Sequence, residues 1–146
     1  MIIDDTAVVS KGASVGEFCN IGPFVAIRAG AVIGEHTKIE AHCLIEGGVQ
    51  VGEHCVVEAQ SVLRKGVALR DHVRWGSGAR AVLGEGTEIR VCEGALVGTS
   101  AILIAQSGSL IIGKEAIVEP GAVVTENVPP GVTVSRPGEV LTETEA

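Results

Sequence analysis

From Ile3 to Trp75 an aliphatic or large apolar residue returns at every sixth position without a miss. The series is Ile3, Val9, Val15, Ile21, Ile27, Ile33, Ile39, Ile45, Val51, Val57, Leu63, Leu69 and Trp75. Four places after each stands a small or β-branched residue, from Ala7 and Ala13 through Cys19, Thr37, Cys43, Cys55 and Ser61 to Ala79. With 46% of residues hydrophobic, so long a run in one frame arises by chance with a probability of roughly 10⁻⁴ to 10⁻⁵. A period of six is neither the period of a helix nor that of an isolated strand; it is three strand steps. One side of a short strand points inward and a turn follows, often at the glycine directly after the large residue, as at Gly16, Gly22, Gly34, Gly52 and Gly76. A single hexad cannot bury its inner face, whereas stacked coils can, each hydrogen-bonded to the next. The pattern therefore predicts an all-β solenoid.

These hexads resemble those of the hexapeptide-repeat acyltransferases, whose left-handed parallel β-helix closes each triangular coil with three hexads. The resemblance implies about seven coils, with residues 1–130 as a single β-helix domain and 131–146 as an exit segment and polar C-terminal tail. Pro129 and Pro130 each lack a backbone donor and are expected to end the stacking; residues from about 138 on are expected to fray. After Trp75 the frame loosens. The next inward pairs read Leu83 with Thr87, Val91 with Ala95, Val97 with Ala101, Leu103 with Ser107, Ile112 with Ala116, Val118 with Ala122 and Val124 with Val128. Extra residues after 75, 83 and 103 are expected to be extruded as corner loops, where sites are commonly built. Trp75 takes an inward slot otherwise held by Val or Ile, either as a core adaptation or as a surface on which a ligand base stacks.

Aromatics make up 2% of the chain and Tyr is absent, which suits a narrow prism filled by Val, Ile and Ala. There is no apolar run of membrane-spanning length, and the start MIIDDTAVV lacks a basic and an apolar leader region. The expectation is a cytoplasmic protein with neither membrane nor nucleic acid as partner. The net charge of −7 is uneven: residues 60–95 carry a local +2 and the remainder −9. This basic belt (Arg64, Lys65, Arg70, Arg74, Arg80, Arg90) reads either as a solvated face with cross-coil ion pairs or as a site for a phosphorylated small molecule. Cys19, Cys43 and Cys55 occupy small inward positions; Cys19 and Cys55, two coils apart, are about 9.6 Å from each other at strand spacing, beyond disulfide reach. They read as buried small hydrophobes.

With eighteen residues per coil, residues stack in columns. Ser10, Arg28, Glu46 and Arg64 form one whose charges alternate and compensate. Phe18, His36, His54 and His72 form another, beside the carboxylates Glu17, Glu35, Glu53 and Asp71. Histidines one rung apart, about 4.8 Å, do not converge on one ion with bonds of about 2 Å, so this column reads as a surface ladder or a pH-sensitive one, and no metal is expected. In a third column, Phe24, His42, Gln60 and Gly78, an imidazole lies one rung from an amide. His42 is the general-base candidate, since acyl transfer needs a base with a pKa near working pH, and Gln60 is placed to orient an acceptor or donate to an oxyanion. A lone histidine is also an ordinary structural residue.

The closing segment Gly121-Ala-Val-Val-Thr125 before Val128-Pro129 resembles the last coil of hexapeptide sugar acyltransferases. The blocks Val57–Ala79 and Glu88–Gly113 look like nucleotide-sugar N-acetyltransferases, and the opening residues look like lipid A pathway acyltransferases. The resemblance implies a homotrimer with sites between subunits, acetyl-CoA along the C-terminal coils, and main-chain contacts to its pantetheine arm at Gly98, Ser100, Gly121 and Ala122. Arg64, Arg70, Arg74 and Arg80 would bind acceptor or CoA phosphates. The chain departs from that pattern at Ala59 and Gln60, where those enzymes carry an Asn pair, at Gly22-Pro23-Phe24, where they carry Trp-His-Phe, in lacking their long loop, and in its exit Val134-Ser-Arg-Pro-Gly138. Three readings follow: a CoA-dependent acyltransferase acting on an amine or hydroxyl of a sugar, nucleotide sugar or small metabolite; a non-catalytic trimeric β-helix scaffold; and a metal-dependent, carbonic-anhydrase-like protein.

Overall fold

A computed structural model describes residues 1–136. Its secondary structure is strands and turns alone, and every paired strand runs parallel to its neighbour. Ile3 pairs with Ile21 and Ile21 with Ile39, so each residue stacks on the one eighteen further along. Three sides per coil result, and the chain winds as a left-handed parallel β-helix of about seven coils, plus the first side of another. The first face is an eight-stranded sheet from Ile2–Ile3 to Thr133–Val134, and the third a six-stranded sheet from Ser14–Val15 to Ser109–Ile112. The second face is split into a four-stranded sheet, ending at Val62–Leu63, and a three-stranded one, beginning at Arg80–Leu83.

From the second coil on, most of the residues that the repeat marks as inward form one continuous core. Ile21, Ile27, Ile33, Ile39, Ile45, Val57, Leu63 and Leu69 are buried along it, with Val25, Ala31, Cys43, Val49 and Val67 between them. Cys19, Cys43 and Cys55 are free thiols in this core. Cys19, Thr37, Cys43 and Cys55 use their heteroatoms to hold the next coil's corner. Cys19 Sγ donates to Gly34 O at 3.0 Å, Thr37 Oγ1 to Gly52 O at 2.7 Å, and Cys55 Sγ to Arg70 O at 3.0 Å. Burial pushes the Cys43 thiol up, and the Cys55 thiol up to about 11.

The corners make two separate demands. Three residues past the large inward position the backbone enters the left-handed region, and at the edge between the third and first faces this place is held by Phe18, His36, His54 and His72, with φ of 62°, 60°, 55° and 61°. Gly12, Gly30, Gly48 and Gly66 hold it at the edge between the second and third faces. The glycine directly after the large residue answers the other demand, which is proximity: a Cβ on Gly34 would lie 2.6 Å from the carbonyl carbon of Gly52, and one on Gly76 2.5 Å from that of Gly98. Those glycines let coils stack at strand spacing.

Above Trp75 the coils are larger. Trp75 stacks on Val97 and Val97 on Val118, offsets of 22 and 21 residues. The extra residues do not leave as corner loops; they lengthen the strands Arg80–Leu83, Glu88–Val91, Ile102–Ala105 and Ser109–Ile112 to four residues each. The inward partner of Trp75 on the next side is Ala81, with Leu83 half-buried behind it, and Ser107, expected inside, is exposed. Trp75 is fully buried on the first face, opposite the lengthened edge, so the indole is core and stacks on no ligand. Its Nε1 is a buried side-chain polar atom without a partner. Stacking also passes the prolines: Thr133–Val134 pairs with Ile117–Val118, because Pro129 and Pro130 fall at a corner and leave those ladder positions free. The expected fraying beyond residue 138 lies outside the described residues.

Candidate functional site

The edge between the first and second faces gathers most of the sequence-derived candidates. In rising order its left-handed corner positions are Phe24, His42, Gln60, Gly78, Ser100 and Gly121, with φ between 58° and 77°. The His42 N–H donates to Pro23 O at 3.0 Å and the Gln60 N–H to Ala41 O at 2.9 Å, which fixes the rungs. The His42 side chain is exposed and stacks on Phe24, ring centroids 5.1 Å apart. Gln60 is one rung above it, about 4.8 Å along the axis. The lower half of this edge carries large side chains, the upper half glycine and serine.

The belt arginines divide into two groups. Arg64 and Arg80 line a cleft of about 390 Å³ on the second face, together with Gln60, Val62, Gly78 and Ala81. Arg70 lies at the opposite edge, and Arg74 projects from the first face, where its Nη2 is 2.7 Å from Glu58 Oε2. Gly98 begins the corner that contains Ser100, and a Cβ there would lie 2.5 Å from Pro120 N. The Ala122 side chain is in the core, its N–H donates to Glu119 O, and its carbonyl accepts from Ile102 N–H, so its main chain is committed within the helix. No ion pair within the Arg28, Glu46 and Arg64 column is found among the described residues; Glu46 Oε1 accepts instead from the Lys65 N–H at 3.1 Å.

The cleft coincides with a break in the solenoid. At the rungs below it the second face keeps its ladder: Leu44 N–H donates to Ser61 O at 2.9 Å and Glu46 N–H to Leu63 O at 3.0 Å. Above it, Arg80 N–H donates to Ala101 O at 2.8 Å and Ile102 N–H to Ala122 O at 2.9 Å. Between them, among the described residues, the N–H groups of Val62 and Arg64 find no backbone or side-chain acceptor, and the carbonyls of Ala79 and Ala81 no donor. The adjoining corner is rearranged too, since Ser77 Oγ donates to Ala59 O at 2.6 Å, where the Gly78 N–H would donate in an unbroken corner. Sequence reasoning placed Gln60, Arg64 and Arg80 but missed these main-chain groups. The one signal for them is the change of spacing after Trp75.

The histidine column is a true stack. Phe18, His36, His54 and His72 have successive ring centroids 4.9, 4.7 and 5.1 Å apart, the histidine planes within 3° of parallel. Parallel rings aim their nitrogen lone pairs in parallel, and no group of three His, Cys, Asp or Glu among the described residues is placed to hold a metal ion. Among the described residues no helix is long and apolar enough to cross a membrane.

This arrangement is that of a hexapeptide-repeat left-handed β-helix, and the comparisons with known proteins agree. Residues 30–65 match the family model described as bacterial transferase hexapeptide (six repeats). No curated protein sequence matches the chain. Among solved structures, the chain is similar to the Arabidopsis UDP-N-acetylglucosamine acyltransferase at a TM-score of 0.70 and 16% identity, covering 90% of this chain and 56% of that one. It is also similar to a histidine-to-alanine variant of GDP-perosamine N-acetyltransferase from Caulobacter crescentus, in complex with CoA and GDP-perosamine, at 0.54 and 23%, covering 94% and 56%. A histidine-to-asparagine variant of the perosamine N-acetyltransferase from the same organism, with the same two ligands, gives 0.50 and 26%, again covering 94% and 56%. The chain thus spans about 56% of the length of these structures. Its fold is the one these acyltransferases share.

Proposed function

We propose that the protein is an acetyl-CoA-dependent acyltransferase that acylates an amine or hydroxyl of a sugar-like acceptor, working as a homotrimer in the cytoplasm. The observation that carries this reading is the single edge that sets His42 and Gln60 beside the Arg64 and Arg80 cleft, with the small residues Gly78, Ser100 and Gly121 at the described corner positions above. Similarity to the perosamine N-acetyltransferase, which binds CoA and GDP-perosamine, supports the reaction class. The small corner positions Gly78 and Ser100 leave a lane of about two rungs, or roughly 10 Å, beside which a pantetheine arm can lie; at the rung above, the Arg136 side chain comes within 3.0 Å of where a Gly121 Cβ would be. In the reaction His42 takes the proton of the acceptor amine or hydroxyl as that atom bonds to the thioester carbon. The C–S bond then breaks and the thiol leaves with a proton. Gln60 donates to the acceptor or to the carbonyl oxygen, and Arg64 and Arg80 hold anionic groups of the acceptor.

Titration of acetyl-CoA into the purified protein by calorimetry is the first test. Saturable micromolar binding at about one site per chain supports the reading. Absence of heat, with no competition by free CoA, points instead to a scaffold. Given turnover on an amino sugar, His42→Ala is expected to lower kcat by about 10² to 10⁴, and an unchanged kcat removes His42 from the role of base.

A further inference from the structure

We propose that the corner above His72 is a binding site for a flat, amino-bearing nitrogen heterocycle, neutral or cationic, that completes the ring stack at the edge between the third and first faces. The left-handed corners of this edge read Phe18, His36, His54, His72, Gly94 and Glu115 in rising order. Gly94 is built as the corners below it are. Its φ is 72° against 61° at His72, and its N–H donates to Asp71 O at 3.0 Å, as the His72 N–H does to Glu53 O at 2.9 Å. The column continues above it, where the Glu115 N–H donates to Glu93 O at 2.9 Å. What Gly94 lacks is a ring. The rings below follow one another at 4.9, 4.7 and 5.1 Å, and the upper face of His72 is left without an aromatic neighbour among the described residues.

The vacancy has the height of one stacked ring. His72 and Glu115 stand two rungs apart, about 9.6 Å along the axis, which admits one ring at the spacing the histidines themselves keep. A Cβ on Gly94 would meet the Glu115 Cγ at 3.2 Å and nothing else within 4 Å. The roof of the slot is therefore an exposed side chain that can swing, and no backbone closes it. The surrounding charges select among rings. Asp71 Oδ1 already accepts from the Glu53 N–H at 2.8 Å, whereas the carboxylates of Glu93, beside Gly94, and Glu115, above it, join no ion pair among the described residues. At neutral pH those two groups accept hydrogen bonds and donate none. A ring that carries amino or N–H donors meets them while its face lies on the imidazole, and a positive charge on it adds attraction. An anionic ring is repelled. Arg70 and Lys114, exposed on the same edge, keep the neighbourhood near neutral, so an uncharged nucleoside is a suitable probe.

Adenosine is titrated into the full chain while the four histidine rings are followed by NMR. The His72 signals are expected to shift saturably, with a dissociation constant on the order of millimolar; His54 and His36 should move progressively less, and His42, at another edge, least. Purine riboside, which keeps the ring and lacks the amino group, should bind about fivefold more weakly, and ribose alone should leave His72 unmoved. Gly94→His sets a fourth imidazole into the slot, on a corner whose three lower neighbours are already histidine, and should abolish the response of His72 to adenosine. Unchanged His36 and His54 signals report that this variant is folded, and the comparisons within the parent chain stand without it. A shift that does not saturate, equal movement of His42 and His72, equal binding of the two nucleosides, or undiminished binding by folded Gly94→His would overturn the proposal. Because the slot lies at a different edge from His42 and Gln60, its occupation and acyl transfer are tested independently.

Discussion

His54 tests what the stacked corner is worth. Its φ of 55° puts an L-residue in the left-handed region, and its ring lies 4.7 Å from that of His36 and 5.1 Å from that of His72. The left-handed conformation costs a residue with a Cβ roughly 1–2 kcal/mol. Two exposed ring contacts return about 0.5 kcal/mol each, at the low end for aromatic pairs. His54→Ala removes both contacts and keeps the strain, so it should destabilise by about 1 kcal/mol. His54→Gly removes the same contacts and relieves the strain, so it should stay within about 0.5 kcal/mol of the parent. Urea unfolding at one fixed protein concentration reads both, since an oligomer's midpoint moves with concentration. Equal midpoints for the Ala and Gly variants would refute the strain argument. Two variants indistinguishable from the parent would refute the stacking argument as well.

Thr37→Val, nearly isosteric, leaves Gly52 O without its 2.7 Å donor and Cys55 N–H without its 3.2 Å acceptor, and is expected to lower unfolding free energy by about 2–3 kcal/mol in the same assay. Gly34→Ala sets a Cβ 2.6 Å from backbone of the next coil and should cost at least about 1–3 kcal/mol, measured as a lower melting temperature. Burial holds the Cys55 thiol at about 11 against an ordinary 9.0, so above pH 9 the unfolded chain releases a proton that the folded chain keeps. The contribution of this thiol should be constant below pH 9 and be lost between 9 and 11, by at most about 1.4 kcal/mol per pH unit, so the fall in stability over that range should be shallower in Cys55→Ala. Arg80→Ala should raise the acceptor KM by about tenfold or more, whereas Arg74→Ala, which loses an exposed pair with Glu58, should leave it within about twofold; equal effects would contradict the division of the belt.

The register from Ile3 to Trp75 was legible because burial in a solenoid is set by position in the repeat, and Cys19, Cys43 and Cys55 fell inside for that reason. Glycine directly after the large residue was read correctly in place but not in cause: Gly34 and Gly76 are there for close approach, while the left-handed turns went to other glycines, such as Gly12, Gly30, Gly48 and Gly66, and to Phe, His, Gln and Ser. Ser107 was misplaced because a hexad count assumes that extra residues leave the ladder, and here they joined it. The Arg28, Glu46 and Arg64 column was read as compensating ion pairs, yet a backbone amide took the Glu46 carboxylate first. The cleft was invisible for a deeper reason. Its donors and acceptors are main-chain groups of Val62, Ala79 and Ala81, which no side-chain letter distinguishes from those of the intact rungs.

Why the break falls where it does follows from geometry. Coils of eighteen residues and coils of 22 cannot pair on all three sides at the step between them, since the larger perimeter sets at least one strand off its neighbour below. The first face stays in register because Trp75 stacks directly on Val57, two large inward residues in one column. The third face stays paired from Val67 to Leu69, where the lower strand has itself lengthened to three residues. The second face has neither support: Ala81 is the smallest inward residue of its column, following Val9, Ile27, Ile45 and Leu63. The mismatch collects there, beside the edge that carries Gln60 and below Gly78 and Ser100. A uniform helix offers identical rungs and therefore no unique place to bind. In this chain the change of coil size makes one rung unlike the others, because the Val62 and Arg64 N–H groups lose their ladder partners beside Arg64 and Arg80 at that single rung.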